Sequence, residues 1–276
     1  LIIDSDVIQA ATVTGIDEIT IDAKTTDAVS DLDGVTAGKF IITADLNQTT
    51  NDELTLANDQ TLEFTTNQGV LDIDVTGATD NVTIIAGDVN GASTTVGTLT
   101  LGAASTTEAT ANSATTGSTT GGTVTLTAND ANMTMSGLTA WSQTVVVNGD
   151  EDVTLSTAGA STTRAQAIDA SALTGVLTVT VNNAANVADT PTVTSGSGAD
   201  NIDIVTGTGA LTVNSGAGAD TITLTSVGSL ATIDASEGDD TIEMDEDATE
   251  YVAMGGAGND TYDFGTQTTM SATIVD

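Results

Sequence analysis

Short runs of alternating apolar and polar residues recur in the last third of the chain, and they predict β-strands. A period of two places the apolar members of each run on one face of a strand. The first run of each repeat is Ile202-Asp203-Ile204, Ile222-Thr223-Leu224, Ile242-Glu243-Met244 or Tyr262-Asp263-Phe264. A second run, in the middle of the repeat, has the same alternation at Leu211–Val213, Ala231–Ile233 and Tyr251–Met254.

Each first run follows a glycine-rich phrase in which glycine and aspartate keep fixed places. The phrases begin SGSGAD, SGAGAD, ASEGDD and GGAGND. A period near twenty over four copies is the signature of a solenoid. We therefore predict an all-β fold, a parallel β-solenoid or β-roll whose coils of about 20 residues stack ~4.8 Å apart. The fixed positions are Gly198, Gly218, Gly238 and Gly258, with Asp200, Asp220, Asp240 and Asp260.

Residues 1–190 have a similar amino-acid composition, but their strand-like runs do not recur at a constant spacing. Most strand-like runs there are four or five residues long, separated by Asn, Asp, Gly and Thr. We predict an irregular β-helix that continues into the regular repeat of residues 191–276, with a β-sandwich as the main alternative. A single helical turn is expected within Arg164–Leu173. The runs are Glu18–Asp22, Phe40–Thr43, Leu54–Leu56, Thr61–Thr65, Val70–Val75, Val82–Ile85, Thr98–Leu101, Val124–Thr127, Val145–Val147, Val153–Leu155 and Leu177–Val181.

Residues 103–122 are of low complexity and have no apolar face. We predict a loop or lateral flap there, and a glycan-bearing or lattice-contacting loop is the functional alternative. The phrase Ile168–Ser171 (IDAS) recurs at Ile233–Ser236, which links the irregular region to the repeat.

The charge is strongly one-sided, with 39 acidic and 3 basic residues and a formal net charge of −36. Such a chain has no positive surface for nucleic acid or for an anionic membrane face. No segment approaches 18 uninterrupted apolar residues, so no membrane span is expected. The chain has no His and no Cys, which excludes the Ser-His-Asp, Cys-His and zinc-hydrolase arrangements. We expect a protein that is not an enzyme and that collects cations.

Stacked coils would place the four repeated aspartates along one edge. At ~5 Å spacing and an effective dielectric near 20, neighbouring carboxylates repel by roughly 3 kcal/mol. A divalent cation between coils would turn this repulsion into ligation. Calcium fits best because it accepts six to eight carboxylate and carbonyl oxygens in irregular geometry, whereas zinc and copper favour His or Cys.

The repeats resemble the RTX (repeats-in-toxin) calcium motif G-G-x-G-x-D-x-U-x, in which U is a large apolar residue. Gly255–Asp263 matches in full, and two other copies have Ser at the first Gly; ASEGDDTIE keeps only Gly238 and Asp240. The resemblance implies a calcium cofactor bound by the motif aspartates and by carbonyls of the Gly-x-Gly turns. The opposite turns lack the aspartate, so we expect one ion column. The implied ligands are Asp200, Asp220, Asp240 and Asp260, with carbonyls near Gly196, Gly198, Gly216, Gly218, Gly238, Gly256 and Gly258.

The Thr-, Ala- and Asn-rich solenoid, phrases such as Ile168–Gly175 (IDASALTG) and the absence of Cys together resemble the RTX-bearing surface-layer (S-layer) proteins of bacteria. The resemblance is specific over residues 195–264 and compositional before them. It implies type I secretion, an extracellular or cell-surface location, calcium-dependent folding outside the cell and self-association into a lattice. Cell-surface polysaccharide is a further partner to expect.

Two alternatives remain open. The first is a segment of an RTX adhesin or extracellular matrix fibre. Some such solenoids bind ice through flat threonine arrays; here Thr212 and Thr232 would align, but Val252 interrupts the array. The second alternative is the calcium-binding module of a larger secreted protein.

Overall fold

The computed structural model describes residues 2–3, 13–22, 30–31, 35–43, 54–75, 81–87, 94–103, 123–139, 144–157, 167–183, 192–206, 210–225, 230–244, 250–266 and 271–275. Twenty-four β-strands lie in this part of the chain. They are β1 (Ile2–Ile3), β2 (Val13–Ile21), β3 (Ser30–Asp31), β4 (Val35–Ile42), β5 (Leu54–Leu56), β6 (Gln60–Phe64), β7 (Gln68–Val75), β8 (Val82–Ala86), β9 (Thr94–Ala103), β10 (Thr123–Ala128), β11 (Met133–Thr139), β12 (Thr144–Gly149), β13 (Val153–Thr157), β14 (Ala167–Leu173), β15 (Leu177–Asn183), β16 (Thr192–Thr194), β17 (Asn201–Thr206), β18 (Leu211–Asn214), β19 (Thr221–Thr225), β20 (Leu230–Asp234), β21 (Thr241–Met244), β22 (Glu250–Met254), β23 (Thr261–Asp263) and β24 (Ala272–Val275).

The strands form two parallel sheets. The 13-stranded sheet holds β1 and every even-numbered strand, and the 11-stranded sheet holds the odd-numbered strands from β3 to β23. β1 pairs with β2, and from β2 onward consecutive strands alternate between the sheets and each strand pairs with the strand two places away. This is the topology of a β-solenoid, and it confirms the predicted fold class both in the repeat and upstream of it.

The core is the narrow space between the two sheets. It is filled by one side chain from every second strand position, as in the buried–half-buried alternation of β6, β8 and β19. Most of the buried side chains are Val, Ile, Leu and Ala. Because the side chains from each sheet meet across a thin layer, short aliphatic residues fill it and few aromatic residues are needed. Tyr251, Phe40 and Phe64 are the largest fully buried side chains among those described.

Coil length separates the regular repeat from the upstream coils. From β16 to β22 successive strands of the 13-stranded sheet are offset by 20 residues, as in Thr192–Thr212 and Val213–Ile233. Upstream, Thr123 pairs with Thr144 and Ala167 with Thr192, offsets of 21 and 25 residues. The upstream coils thus keep the sheet pairing but vary the turns, which hides the period from a sequence search.

The longest offset lies between β8 and β10. The N–H of Thr123 donates to the Asn81 side chain at 2.8 Å across 42 residues, about twice the usual coil. Asn81 also binds the preceding coil: its N–H donates to Asn58 Oδ1 and its side-chain amide donates to Asp59 Oδ1, both at 2.8 Å. This ladder joins coils on either side of the long connection. The predicted loop at 103–122 lies outside the described residues except for Ala103, which ends β9.

Two expectations for the upstream region are wrong. Ala167–Leu173 is strand β14, not a helical turn, because Ile168, Ala170 and Leu173 point into the core; Arg164 itself lies outside the described residues. The strand pairings there are parallel, as in β10–β12 and β11–β13, whereas a β-sandwich of the type considered is built from antiparallel sheets. Strand β11 and the short strands β1, β3 and β16 were not predicted.

Within the described ranges, no helix has the length and apolar character needed to cross a membrane.

Candidate calcium-binding turns

The four repeated aspartates form a column at the start of successive strands of the 11-stranded sheet. We call Asp200, Asp220, Asp240 and Asp260 the aspartate column. Each Oδ1 accepts the main-chain N–H of the residue one coil earlier: Leu177 to Asp200 at 2.7 Å, Asp200 to Asp220 and Asp220 to Asp240 at 2.8 Å, and Asp240 to Asp260 at 3.1 Å. The structure therefore brings the four predicted aspartates together, one per coil.

Three of the four aspartates in the column are buried, and in all four one carboxylate oxygen has no hydrogen-bond partner. Asp200, Asp220 and Asp240 are 2%, 1% and 1% exposed. The second oxygen, Oδ2, is buried without a hydrogen-bond partner in all four residues of the column. A buried charged oxygen without a partner costs several kcal/mol, so this arrangement calls for a cation or a proton.

Two buried serines lie beside the column: Ser195 lowers the pKa of Asp200 and Ser215 lowers that of Asp220, each by less than burial raises it. The Ser195 hydroxyl also lies 2.7 Å from the Ser215 carbonyl, and the Ser215 hydroxyl lies 3.1 Å from the Ala235 carbonyl, to which each can donate. Serine at the first motif position therefore links neighbouring coils.

Burial sets the protonation of the column in the absence of an ion. Loss of water raises the pKa of Asp200, and hydrogen-bond donors, led by the Leu177 N–H, offset only part of this effect. Burial likewise raises the pKa of Asp220 and Asp240, and the charge of the neighbouring aspartates adds to it. All three carboxyls thus hold their protons more tightly than an exposed aspartate does.

The glycines of the turns are required by the close approach of one coil to the next. A Cβ on Gly218 would lie 1.9 Å from the Gly198 carbonyl oxygen, and a Cβ on Gly238 would lie 1.6 Å from that of Gly218. Gly218, Gly238 and Gly258 also have φ of 131°, 146° and 150°. No other residue fits such positions without moving the backbone.

The third turn keeps this geometry although its motif is incomplete. Ser236 takes the place of a glycine and has φ of 69°, near the 83° of Gly216 and the 94° of Gly256. Its hydroxyl donates to Asp234 Oδ1 at 3.0 Å, which ties the side chain to the preceding strand. The sequence left the shape of this turn in doubt, and the structure shows that it matches its neighbours.

The donor set suits a hard cation. The column offers carboxylate oxygens, and the turns add main-chain carbonyls; those of Gly196 and Gly216 each accept an N–H from the next coil at 3.0 Å and keep a second lone pair. No group of three His, Cys, Asp or Glu side chains converges within the described residues. An ion here would therefore combine carboxylates of adjacent coils with carbonyls, which calcium accepts and zinc does not.

Some predicted features cannot be placed. The turns opposite the column, at residues 207–209, 226–229 and 245–249, lie outside the described residues, and so does most of the acidic segment Glu243–Glu250. The expectation of one ion column therefore stays a prediction.

Sequence reasoning missed a second polar ladder, one residue before the column. The Asp152 N–H donates to Asn132 Oδ1 at 3.0 Å, and the Val176 N–H donates to Asp152 Oδ1 at 2.9 Å. The Asn259 N–H donates to Asp239 Oδ1 at 2.8 Å in the same sense. The spacing of 20 between Asn132 and Asp152, each directly before a strand, was the signal that could have revealed it.

Comparisons with protein-family models, with curated proteins and with solved structures found no match for this chain.

Proposed function

We propose that this chain is a secreted, calcium-dependent structural protein that self-assembles into a layer on a bacterial cell surface. The observation that carries the proposal is the aspartate column, with one buried carboxylate oxygen per coil that has no partner. Calcium bound between coils would supply that partner, and its free energy of binding would add directly to the stability of the folded chain.

The charge of the whole chain supports a location outside the cell. The chain has a net charge of −36 and no Cys, so bound cations can offset the repulsion between coils and disulfides cannot. Low calcium during export would keep the turns unfolded, and higher calcium outside would fold them by mass action. This order of events agrees with the type I secretion that the resemblance implies.

Self-association is proposed from the shape of the molecule. Two flat parallel sheets present long faces with regularly spaced side chains, which suit repeated contacts with further copies or with cell-surface polysaccharide. Acidic side chains on these faces, such as the exposed Glu243, would let calcium bridge neighbouring copies.

A second candidate is a fibre or adhesin segment, and one feature of the 11-stranded sheet favours it. The strand registers align a single column of uncharged side chains on its outer face: Thr134, Thr154, Thr178, Asn201, Thr221, Thr241 and Thr261. Such a column could contact an ordered surface. On the other sheet Thr212 and Thr232 align as predicted, and Val252 interrupts them.

Calcium titration of the purified chain, followed by circular dichroism and electron microscopy, tests the proposal. We expect millimolar calcium to increase β-structure and to produce sheets. Filaments would favour the second candidate, and monomers that bind calcium would indicate a module of a larger protein. A chain whose β-structure and assembly ignore both calcium and a chelator would contradict the proposal.

A matched pair of variants locates the effect. Asp220→Asn removes one charge from the column and keeps an acceptor for the Asp200 N–H, so we expect about tenfold more calcium to be needed for the change in β-structure, since affinity follows the number of charged ligands. Asp203→Asn makes the same charge change on the outer face of β17 and should leave the midpoint within about twofold. Equal midpoints for both variants would count against ligation by the column.

A further inference from the structure

Two hydrogen-bond ladders of opposite direction meet at the start of β15. In the upstream ladder each side chain binds the following coil: Asn132 accepts from Asp152, and Asp152 accepts from Val176. In the aspartate column each side chain binds the preceding coil, beginning with Asp200, which accepts from Leu177 at 2.7 Å. The start of β15 is therefore hydrogen-bonded to both neighbouring coils, through the N–H groups of Leu177 and of Val176 directly before it.

The chemistry of the column also changes at β15. Val153 pairs with Leu177, and Leu177 occupies the position that Asp200 takes one coil later. Val153 and Leu177 are both 0% exposed, and as apolar residues they belong in such a position. From Asp200 onward the same position holds a buried carboxylate whose Oδ2 lacks a partner.

The net charge is negative on both sides of β15, so the total charge does not set the boundary. Residues 1–191 hold 24 acidic and 3 basic side chains, and residues 192–276 hold fifteen acidic and no basic ones. What the described coils after β15 add is the column of buried carboxylates, each with one oxygen that lacks a partner.

We propose that calcium controls only the C-terminal coils, and that β15 is the boundary. This inference rests on the proposed calcium function. Coils up to β15 hold their structure without calcium, because the described ladder of Asn132 and Asp152 is satisfied by main-chain N–H groups and the position of the aspartate column is apolar there. At neutral pH, coils from β17 to β23 are ordered only when an ion neutralises the aspartate column.

Strand β15 then acts as a template. In a solenoid each coil contacts only its neighbours, so order propagates from a formed edge. A pre-folded β15 offers a paired strand edge together with the Leu177 N–H, to which Asp200 binds first. Calcium binding would extend the solenoid coil by coil from that edge, from Asp200 to Asp260.

Hydrogen exchange of the full chain, in millimolar calcium and in excess chelator, tests this boundary. In chelator we expect amides of β17, β19 and β21, and the amides of Asp220 and Asp240 that directly precede β19 and β21, to exchange at least ~100-fold faster, which is the protection conferred by a ligand at a hundred times its Kd. Amides of β12, β13 and β15 should change by less than about threefold. Restoring calcium should restore protection.

The outcomes separate this inference from the proposed function. If both regions lose protection together, calcium still stabilises the protein but the boundary at β15 is wrong. If calcium changes exchange in neither region, the calcium function and the boundary both fall.

Two aspartates that bind adjacent N–H groups of β15 provide matched variants. Asp200→Asn and Asp152→Asn each remove one charge and keep the oxygen that accepts from Leu177 or Val176. We expect Asp200→Asn to shrink the calcium-dependent difference in exchange at β17 by about tenfold, while Asp152→Asn leaves it within about twofold. Equal effects of the two variants would overturn the boundary, because they would show that position in the column is irrelevant.

Discussion

At the scale of single residues, the aspartate column places ionisable carboxyl groups in buried positions. Asp200, Asp220 and Asp240 are as deeply buried as the Val and Leu at the same position upstream. Each keeps one oxygen bound to a main-chain N–H and leaves the other without a partner. At ~4.8 Å between coils, charged neighbours also repel each other by roughly 3 kcal/mol. These residues reduce the stability of the folded chain unless a cation or a proton joins them.

Acidification should stabilise the calcium-free protein. Because the folded-state pKa values of Asp200, Asp220 and Asp240 are raised, the folded chain binds more protons than the unfolded chain between the ordinary carboxyl value and the raised values. The stabilisation is complete below the ordinary value and is lost as pH rises through the raised pKa values. Thermal unfolding in chelator, followed from about pH 7 down to about pH 4.5, should show a rising melting temperature.

The Asp220→Asn variant is the control for this pH dependence. It lacks one of the three titrating groups, so its melting temperature should rise less over the same range. A melting temperature that falls steadily on acidification of the calcium-free wild type would contradict the argument.

At the scale of the element, the turn is defined by contacts between coils more than by its own sequence. Gly238 lies directly against the Gly218 carbonyl, whereas position 236 tolerates a serine with positive φ. The two positions look alike in the motif, since both are glycines in the complete copy Gly255–Asp263. The φ angle distinguishes them, since the 69° of Ser236 lies in the left-handed region that other residues can adopt, whereas the 146° of Gly238 favours glycine.

This difference predicts unequal effects of substitution. Gly238→Ala should destabilise the calcium-bound protein by roughly 3 kcal/mol, because the new methyl group meets a carbonyl oxygen and φ is unfavourable. Ser236→Gly should change stability by less than about 1 kcal/mol, since relief of the left-handed conformation offsets loss of the hydrogen bond to Asp234. Urea unfolding in saturating calcium measures the stability of both variants. Equal losses of stability would refute the distinction between the two positions.

The ladder of Asn58, Asp59, Asn81 and Thr123 contrasts with the aspartate column. Asn81 binds Asn58, Asp59 and Thr123, and so fixes the register across the longest offset between described strands. Both oxygens of Asp59 accept from an amide, one from Asn58 and one from Asn81. This ladder therefore leaves no oxygen of Asp59 without a partner, whereas each aspartate of the column does.

At the scale of the whole molecule, the net charge of −36 opposes folding along the entire rod. Monovalent salt screens exposed charges but acts weakly on buried ones. Magnesium demands octahedral geometry and gives up its water reluctantly, so it fits irregular turns poorly. The requirement for calcium should therefore be specific, and it should not reduce to a general effect of ionic strength.

We expect the melting temperature to rise most with millimolar calcium, less with the same concentration of magnesium, and least per unit ionic strength with sodium chloride. Calorimetry at matched ionic strength makes the comparison. Equal stabilisation by magnesium and calcium would show that the charges are merely screened.

The sequence determined the regular part of the fold. The period of twenty, the alternation in Ile222-Thr223-Leu224 and the glycine–aspartate spacing were sufficient to predict parallel coils and a stacked column of aspartates. This succeeded because in a strict repeat one local pattern is copied in register, so that residues twenty apart must become neighbours. Most of the longer upstream strands were also predicted, because their apolar alternation persists even where the period does not; β11 and β14 are the exceptions.

Only the tertiary structure decided how the coils are joined. Which oxygen of Asp220 binds the Asp200 N–H and which oxygen is left over depend on distances between coils, and the tolerance of Ser236 depends on its φ. The meeting of the two ladders at Val176 and Leu177 depends on hydrogen bonds across offsets of 24 and 23 residues, which no local pattern encodes. Strand propensity and periodicity are properties of a segment, whereas burial and hydrogen bonding of a carboxylate are properties of the stack around it.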